Sequence, residues 1–194
     1  HKIPSGEINH YPYLEQIAKY KKKTILSSGM SNIFEVKKSI DLLCSHGLDL
    51  KNIIIMHCTT QYPTDFKDVN LNSIKTLKKT FECEVGYSDH TVGNEVSIAA
   101  VGMGCKYFEK HFTIDKNLEG PDHKASLSIS ELKKYVCDLR NVYKALGSSD
   151  KKPAEIELTN KKIVRRSIVA KKLINKGEIF TSQNIICKRP EIGL

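Results

Sequence analysis

A chain of 194 residues, 40% hydrophobic and 27% charged, has an ordinary globular composition, enough for one domain and part of another. Its net charge of +9 comes from lysines spread along the whole length, with arginine scarce, tryptophan absent and no basic stripe interleaved with aromatics, so solvated helix faces explain it and no nucleic-acid partner is expected. No apolar run approaches membrane-spanning length, and the N-terminal residues lack the basic, apolar and small-residue succession of a signal peptide, so no membrane partner is expected and the cytoplasm is the expected compartment.

Short strand-like runs alternate with helical patterns. The first run, Lys2-Ile3-Pro4-Ser5, leads through Gly6 to a helix expected over Tyr13–Lys22, and the second, Thr24-Ile25-Leu26-Ser27, turns at Ser28-Gly29. Asn32 with Glu35 three residues on predicts a capped helix whose apolar positions Ile33, Val36, Ile40 and Leu43 recur at helical spacing until Gly47. The third run, Ile53 to Cys58, is apolar throughout, as a strand covered on both faces should be, and a looser helical pattern follows over Leu71–Phe81. The fourth and fifth runs are Val85–Ser88 and Tyr107–His111, with a small-residue helix over Val96–Val101 between them. After a polar loop, Asp115–Leu127, Ser128 and Glu131 cap a long helix that should bury Leu132, Tyr135, Val136, Leu139, Val142 and Leu146 before Gly147 ends it. Six cysteines, Cys44, Cys58, Cys83, Cys105, Cys137 and Cys187, form no CxxC pair and read as reduced thiols.

Strands alternating with helices predict a parallel α/β sheet. The five strand ends carry polar residues, including Glu7, His57, His90, Lys110 and His111, and gathering such residues on one rim is what a barrel does. The expected fold is therefore the C-terminal five βα units of a (β/α)8 TIM barrel over residues 1–147, with three upstream units missing. A linker is expected over 148–160, and 161–194 reads as the start of a small β-rich domain, with strand candidates at Val164–Ala170 and Ile185–Pro190 around a turn at Asn175–Glu178.

The stretch Gly86 to Asp122 carries the main chemical signal. His90 follows one strand-like run and His111 ends the next, 21 residues later, the length of one βαβ crossover. On neighbouring parallel strands the two imidazoles meet at one sheet edge, where they suit a borderline divalent ion, with Asp89, Glu109 and Asp122 as nearby carboxylates. Either histidine taken alone is equally explained by a local hydrogen bond.

The succession KIPSGEINHYPYL, ILSSGM, HCTTQYP, GYSDHT, EKHFT, GPDH, RRSIVA, KGE and KRP resembles the bacterial sialic acid synthase family across Lys2 to Pro190. The resemblance implies a (β/α)8 barrel joined to an antifreeze-protein-like (SAF) domain. It also implies condensation of phosphoenolpyruvate with an open-chain N-acyl hexosamine, typically N-acetylmannosamine, plus water, with release of phosphate and a requirement for Mn2+ or Mg2+. By the same resemblance His90 and His111 bind the metal. Lys2, Ser5, Ser27 and Ser88 hold phosphoenolpyruvate, with Thr60 standing where the family often carries Asn. Glu7, Tyr62 and Asp122 hold the sugar or manage a proton, Lys2 and Glu7 being the catalytic candidates. Arg189 of the KRP motif, followed here by Glu191 after Pro190 where the family commonly has Gly, implies a domain-swapped homodimer in which an arginine reaches the partner's sugar site. The segment Ser5-Gly6-Glu7 is more similar to N-acetylneuraminate and legionaminate synthases than to pseudaminate synthases, where an aromatic commonly replaces the glycine. This polypeptide alone is expected to have little synthase activity, and a non-catalytic fragment or interaction module is the alternative from another class.

Overall fold

Five strands stand side by side in strict chain order, all parallel: β1 (Lys2–Ile3), β2 (Thr24–Ser27), β3 (Ile53–His57), β4 (Glu84–Asp89) and β5 (Phe108–Lys110). The computed structural model describes residues 1–194, which fall into two compact units, His1–Gly147 and Ser148–Leu194. In the first unit the crossovers are α1 (Tyr11–Lys19), α2 (Ile33–Ser45), α3 (Ser73–Phe81) and α4 (Glu95–Gly102), and α5 (Ile129–Leu146) packs on α4. Crossovers between parallel strands are right-handed almost without exception, so an order that never reverses collects the helices on one face and curls the sheet.

One ion pair demonstrates that curl. In a flat sheet β1 and β5, four strand spacings apart, would be separated by about 19 Å. Yet Lys2 Nζ lies 3.3 Å from Glu109 Oε1, across the mouth of the sheet. The first unit is a half-barrel of βα units, as the alternation of strands and helices predicts.

Local chemistry explains the element boundaries. The Asn32 side chain accepts from the amides of Phe34 and Glu35 at 2.9 and 3.0 Å while Glu35 accepts from the Asn32 amide at 2.8 Å, a reciprocal cap worth about 1 kcal/mol. Gly47, at φ +96°, then ends α2 in a conformation that side chains resist. At α5 the Ser128–Glu131 pair does the same, and with Lys116 beside it the Glu131 carboxyl is held down to about 2. Val36, Ile40 and Leu43 of α2 pack with Ile3, Leu26, Ile55 and Val85 of the sheet, and every residue of β3 is buried.

Four expectations are corrected. The first strand stops at Ile3, because Pro4 has no amide to donate and Ser5–Glu7 winds into a 3-10 turn, with Glu7 N donating to Pro4 O at 3.0 Å. Helix α1 starts two residues earlier than the pattern suggests, with Pro12 pre-set in its first turn, and ends at Lys19 because Lys21 takes a left-handed φ of +52°. Leu146 is 47% exposed, leaving Leu132, Tyr135, Val136, Leu139 and Val142 as the packed face of α5. The stretch 148–160, read as a linker, includes the start of α6 (Glu157–Val164).

In the second unit β6 (Ser167–Ala170) and β7 (Ile185–Lys188) pair antiparallel, with Ser167 opposite Lys188 and Ala170 opposite Ile185. Leu173, Ile179, Ile192 and Leu194 are each more than 80% exposed, as a stretch too short to enclose a core of its own requires. No helix in the chain is long and apolar enough to cross a membrane.

Burial also sets a pH dependence. His57, at the end of β3, is 8% exposed and donates from Nε2 to Val69 O at 2.7 Å; burial holds its pKa below the ordinary 6.5. Below that ordinary value the unfolded chain takes up a proton that the folded one refuses, so stability falls on acidification, by at most about 1.4 kcal/mol per pH unit for one proton. Urea melts at pH 7.5 and 5.5 should show the loss, and His57→Gln should flatten it; a slope unchanged by the substitution would assign the effect to other groups.

Candidate functional site

Side chains on a strand alternate between faces, and the β4–β5 ladder uses that alternation to sort its polar residues. The register pairs Tyr87 with Phe108, Ser88 with Glu109 and Asp89 with Lys110. Ser88 and Glu109 share one face, where the serine donates to Glu109 Oε1 at 2.9 Å. Asp89 and Lys110 share the other, where they form an ion pair at 2.9 Å with both side chains almost fully buried. Asp89 is therefore not a carboxylate of the cup, as the sequence suggests, but one turned toward the helices.

One residue beyond the ladder the alternation returns His90 and His111 to the face of Ser88 and Glu109, with ring centroids 5.8 Å apart, edge to face. The Tyr62 ring sits against both, 4.0 Å from His90 and 5.1 Å from His111. His90 Nδ1 is 2.6 Å from Thr59 O; a carbonyl only accepts, so Nδ1 carries the hydrogen and the Nε2 lone pair is left free, 3.3 Å from the Ser88 hydroxyl. Burial lowers the His90 pKa, which keeps the ring neutral. His111 Nδ1 lies 3.8 Å from Asp122 Oδ2. A neutral imidazole oriented through Nδ1 with Nε2 open is how a histidine is prepared for a metal. No group of three or more His, Cys, Asp or Glu side chains stands together, so the donor set the protein offers is the two imidazoles.

Other strand ends supply hydroxyls and a cation. Ser5 Oγ accepts from Gly29 N at 3.1 Å and lies 3.2 Å from Cys58 Sγ. Gly29 has to be glycine here, because a Cβ would collide with the Thr60 hydroxyl and come within 2.7 Å of Ser5 Oγ. Ser27, closing β2, is 2% exposed, and its hydroxyl is buried without any partner. A buried hydroxyl left unpaired marks a place where a ligand oxygen or a water belongs. Lys2 reaches the same cup through Glu109.

Lys2, Ser5, Ser27, Thr60, Tyr62, Ser88, His90, His111 and Asp122 thus gather at the C-terminal strand ends. Glu7 stands apart from that contact network, with Oε2 on His10 Nδ1 at 2.7 Å. Arg189 is exposed, just after β7 in the second unit. Sequence reasoning gives Glu109 no role beyond that of a nearby carboxylate, yet it links Lys2 to Ser88. The signal is the period of two in Glu109-Lys110-His111, which puts Glu109 and His111 on one face.

The sequence profile described as the NeuB family matches residues 1–151. The chain is 51% identical over its whole length to an N,N'-diacetyllegionaminic acid synthase of Campylobacter jejuni, covering 58% of that protein, and 44% identical to one of Legionella pneumophila, covering 55%. Among solved structures it superimposes on an N-acetylneuraminic acid (sialic acid) synthetase of Leptospira borgpetersenii, crystallised with citrate, with a TM-score of 0.74 at 33% identity, over 82% of this chain and 55% of that one. The chain spans a little over half the length of these relatives.

Proposed function

The chain belongs to the NeuB family, and from that premise we propose that its cup is the phosphoenolpyruvate and metal side of a nonulosonic acid synthase, which joins phosphoenolpyruvate to an open-chain N-acyl hexosamine. The observation that carries this reading is the convergence of two imidazoles, Tyr62, a lysine and an unpaired buried hydroxyl on one rim of a half-barrel.

His90 and His111 would hold a divalent ion, and their nitrogen donors suit Mn2+ better than Mg2+, which prefers an all-oxygen shell. When bound, such an ion supplies Lewis acidity toward the sugar aldehyde. The Lys2 ammonium and the Ser5, Ser27 and Ser88 hydroxyls hold the phosphate and carboxylate of phosphoenolpyruvate, with Thr60 beside them. Held so, the enol C3 forms the carbon–carbon bond to the aldehyde carbon, and water adds to the cationic C2. Glu109 relays one water proton to the new alkoxide, and the C2 hydroxyl gives the other to the departing phosphate as the C2–O bond to the bridging oxygen breaks and the C2 ketone forms. Tyr62 and Asp122 face the sugar, and Glu7, which pairs with His10 outside that contact network, would have to leave that partner to join them. Arg189 acts from a partner protomer's second unit, which is read as part of an antifreeze-protein-like domain.

Of the three relatives named above, the two with the higher identity are N,N'-diacetyllegionaminic acid synthases and the third is an N-acetylneuraminic acid synthetase, which favours a 2,4-diacetamido-6-deoxy hexosamine over N-acetylmannosamine as the acceptor. Phosphate release from phosphoenolpyruvate should be measured with each sugar, in a protein carrying this sequence within a full-length family context. Lys2→Met should raise the KM for phosphoenolpyruvate at least tenfold, the scale of one lost charge-assisted contact, and leave the KM for sugar unchanged. Equal turnover in Lys2→Met would remove the lysine from the site, and no turnover with either sugar would reject the acceptor class.

A further inference from the structure

The ion pair on the far side of the β4–β5 ladder has no part in the chemistry above, and its placement is specific. Asp89 and Lys110 are register partners, and each is followed at once by one of the two histidines. Lys110 spends all three N–H donors: on Asp89 Oδ2 at 2.9 Å, on Thr91 O at 2.7 Å and on Gly93 O at 2.8 Å. Asp89 is equally saturated, its Oδ1 accepting from the Thr91 amide at 2.9 Å and the Thr91 hydroxyl at 2.8 Å, its Oδ2 accepting from Ser97 Oγ at 2.6 Å. Ser97 in turn accepts from Tyr135 OH at 2.7 Å, so α4 and α5 both brace the carboxylate. The ammonium also lies 5.7 Å from the centre of the Tyr135 ring.

The effect falls on one residue. Thr91, directly after His90, is held at its amide by Asp89 and at its carbonyl by Lys110, at the point where the β4 ladder stops and the sheet no longer orients the backbone. The side chains of Asp89 and Lys110 face the helices and touch nothing in the cup.

We infer that the buried Asp89–Lys110 pair is the positioning device of the two-imidazole site, clamping the Thr91–Gly93 turn so that the His90 and His111 rings converge on one point. The pair acts through the turn and through the end of β5, so Asp89 and Lys110 are positioning residues. The inference rests on the reading of His90 and His111 as ion ligands, and its test keeps the two separable.

Two quantities are followed in this 194-residue chain: Mn2+ uptake, from loss of the free-ion EPR signal, and the His90 ring tautomer, from long-range 1H–15N NMR. They are compared in the unsubstituted protein, in Lys110→Met, in the charge-neutral double variant Asp89→Asn/Lys110→Met, and in Leu14→Ala, which empties a fully buried position in α1. The expected result is a rise in the Mn2+ dissociation constant of about tenfold or more in both Lys110 variants, the scale seen when a ligand's supporting partner is lost. With it the His90 ring changes from a single Nδ1–H form to a mixture. Leu14→Ala lowers the melting temperature and leaves both quantities unchanged. Should Lys110→Met not fold, the double variant, which strands no charge, decides. A folded double variant with unaltered affinity and a single tautomer overturns the inference, as does an equal loss of affinity in Leu14→Ala. If the unsubstituted chain takes up no Mn2+, the ligand reading falls and the tautomer decides alone: single in every variant overturns the clamp, single only with the pair present upholds it.

Discussion

Replacing His90 and His111 together with glutamine is expected to abolish divalent-ion binding, and replacing either alone should weaken it by more than 100-fold. Two imidazoles are the protein donors that the site brings together, since no third His, Cys, Asp or Glu joins them. Losing a mere supporting partner of a metal ligand costs about 10–100-fold, so losing one of two ligands lies above that range. Glutamine preserves polarity and much of the ring's volume, so the folded state should survive, and unchanged circular dichroism would show that it does. Isothermal titration with Mn2+ gives the binding. A double variant that retains the unsubstituted affinity would place the ion elsewhere and leave the two rings as hydrogen-bonding residues. The same titration with Mg2+ should show weaker binding, because that ion dehydrates reluctantly and does not favour nitrogen.

Gly86→Ala should destabilise the first unit by about 3 kcal/mol, the upper end of what overpacking costs a well-filled core. Gly86 lies within β4, opposite Met56 of β3. A Cβ at this position would be driven into Met56 Sδ and would come within 2.5 Å of the Tyr107 carbonyl oxygen and 2.8 Å of Tyr107 Cβ. The thioether can swing aside; the carbonyl cannot, because it accepts the Tyr87 amide at 2.9 Å in the contact that starts the β4–β5 ladder. Relief therefore means parting the two strands that carry His90 and His111. A melting temperature lower by about 10 °C is expected, together with weaker Mn2+ binding in what remains folded. A variant as stable as its parent would mean that β5 moves freely against β4, and the geometry of the two imidazoles would then owe little to the sheet.

These effects separate two kinds of information. Alternation of apolar runs with capped helical patterns is local, and so Asn32 with Glu35, Ser128 with Glu131, the wholly apolar β3 and the 21-residue spacing of the histidines could all be read directly from the chain. The half-barrel follows from them, because right-handed crossovers leave a parallel sheet in chain order little choice but to curl. Pro4 and Lys21 are harder to place, since a missing amide and a left-handed residue shift a boundary by a few positions without altering the pattern around it.

The period of two sets which side chains share a face, but which face lines the cup was beyond reach of the pattern. Asp89 stands next to His90 and Glu109 two residues before His111, and the pleat accordingly sends Glu109 into the cup with Lys2 and buries Asp89 beneath it with Lys110. Glu7, a prime candidate by resemblance, pairs with His10, and the Ser27 hydroxyl is left unpaired in a buried spot that no local rule marks. Residue order and spacing dictate strands, helices and their succession, because those depend on neighbours along the chain. The meeting of Lys2 with Glu109, and of His90 with His111, depends on which strand edges face each other across a curled sheet, and that distance exists only once the chain has folded.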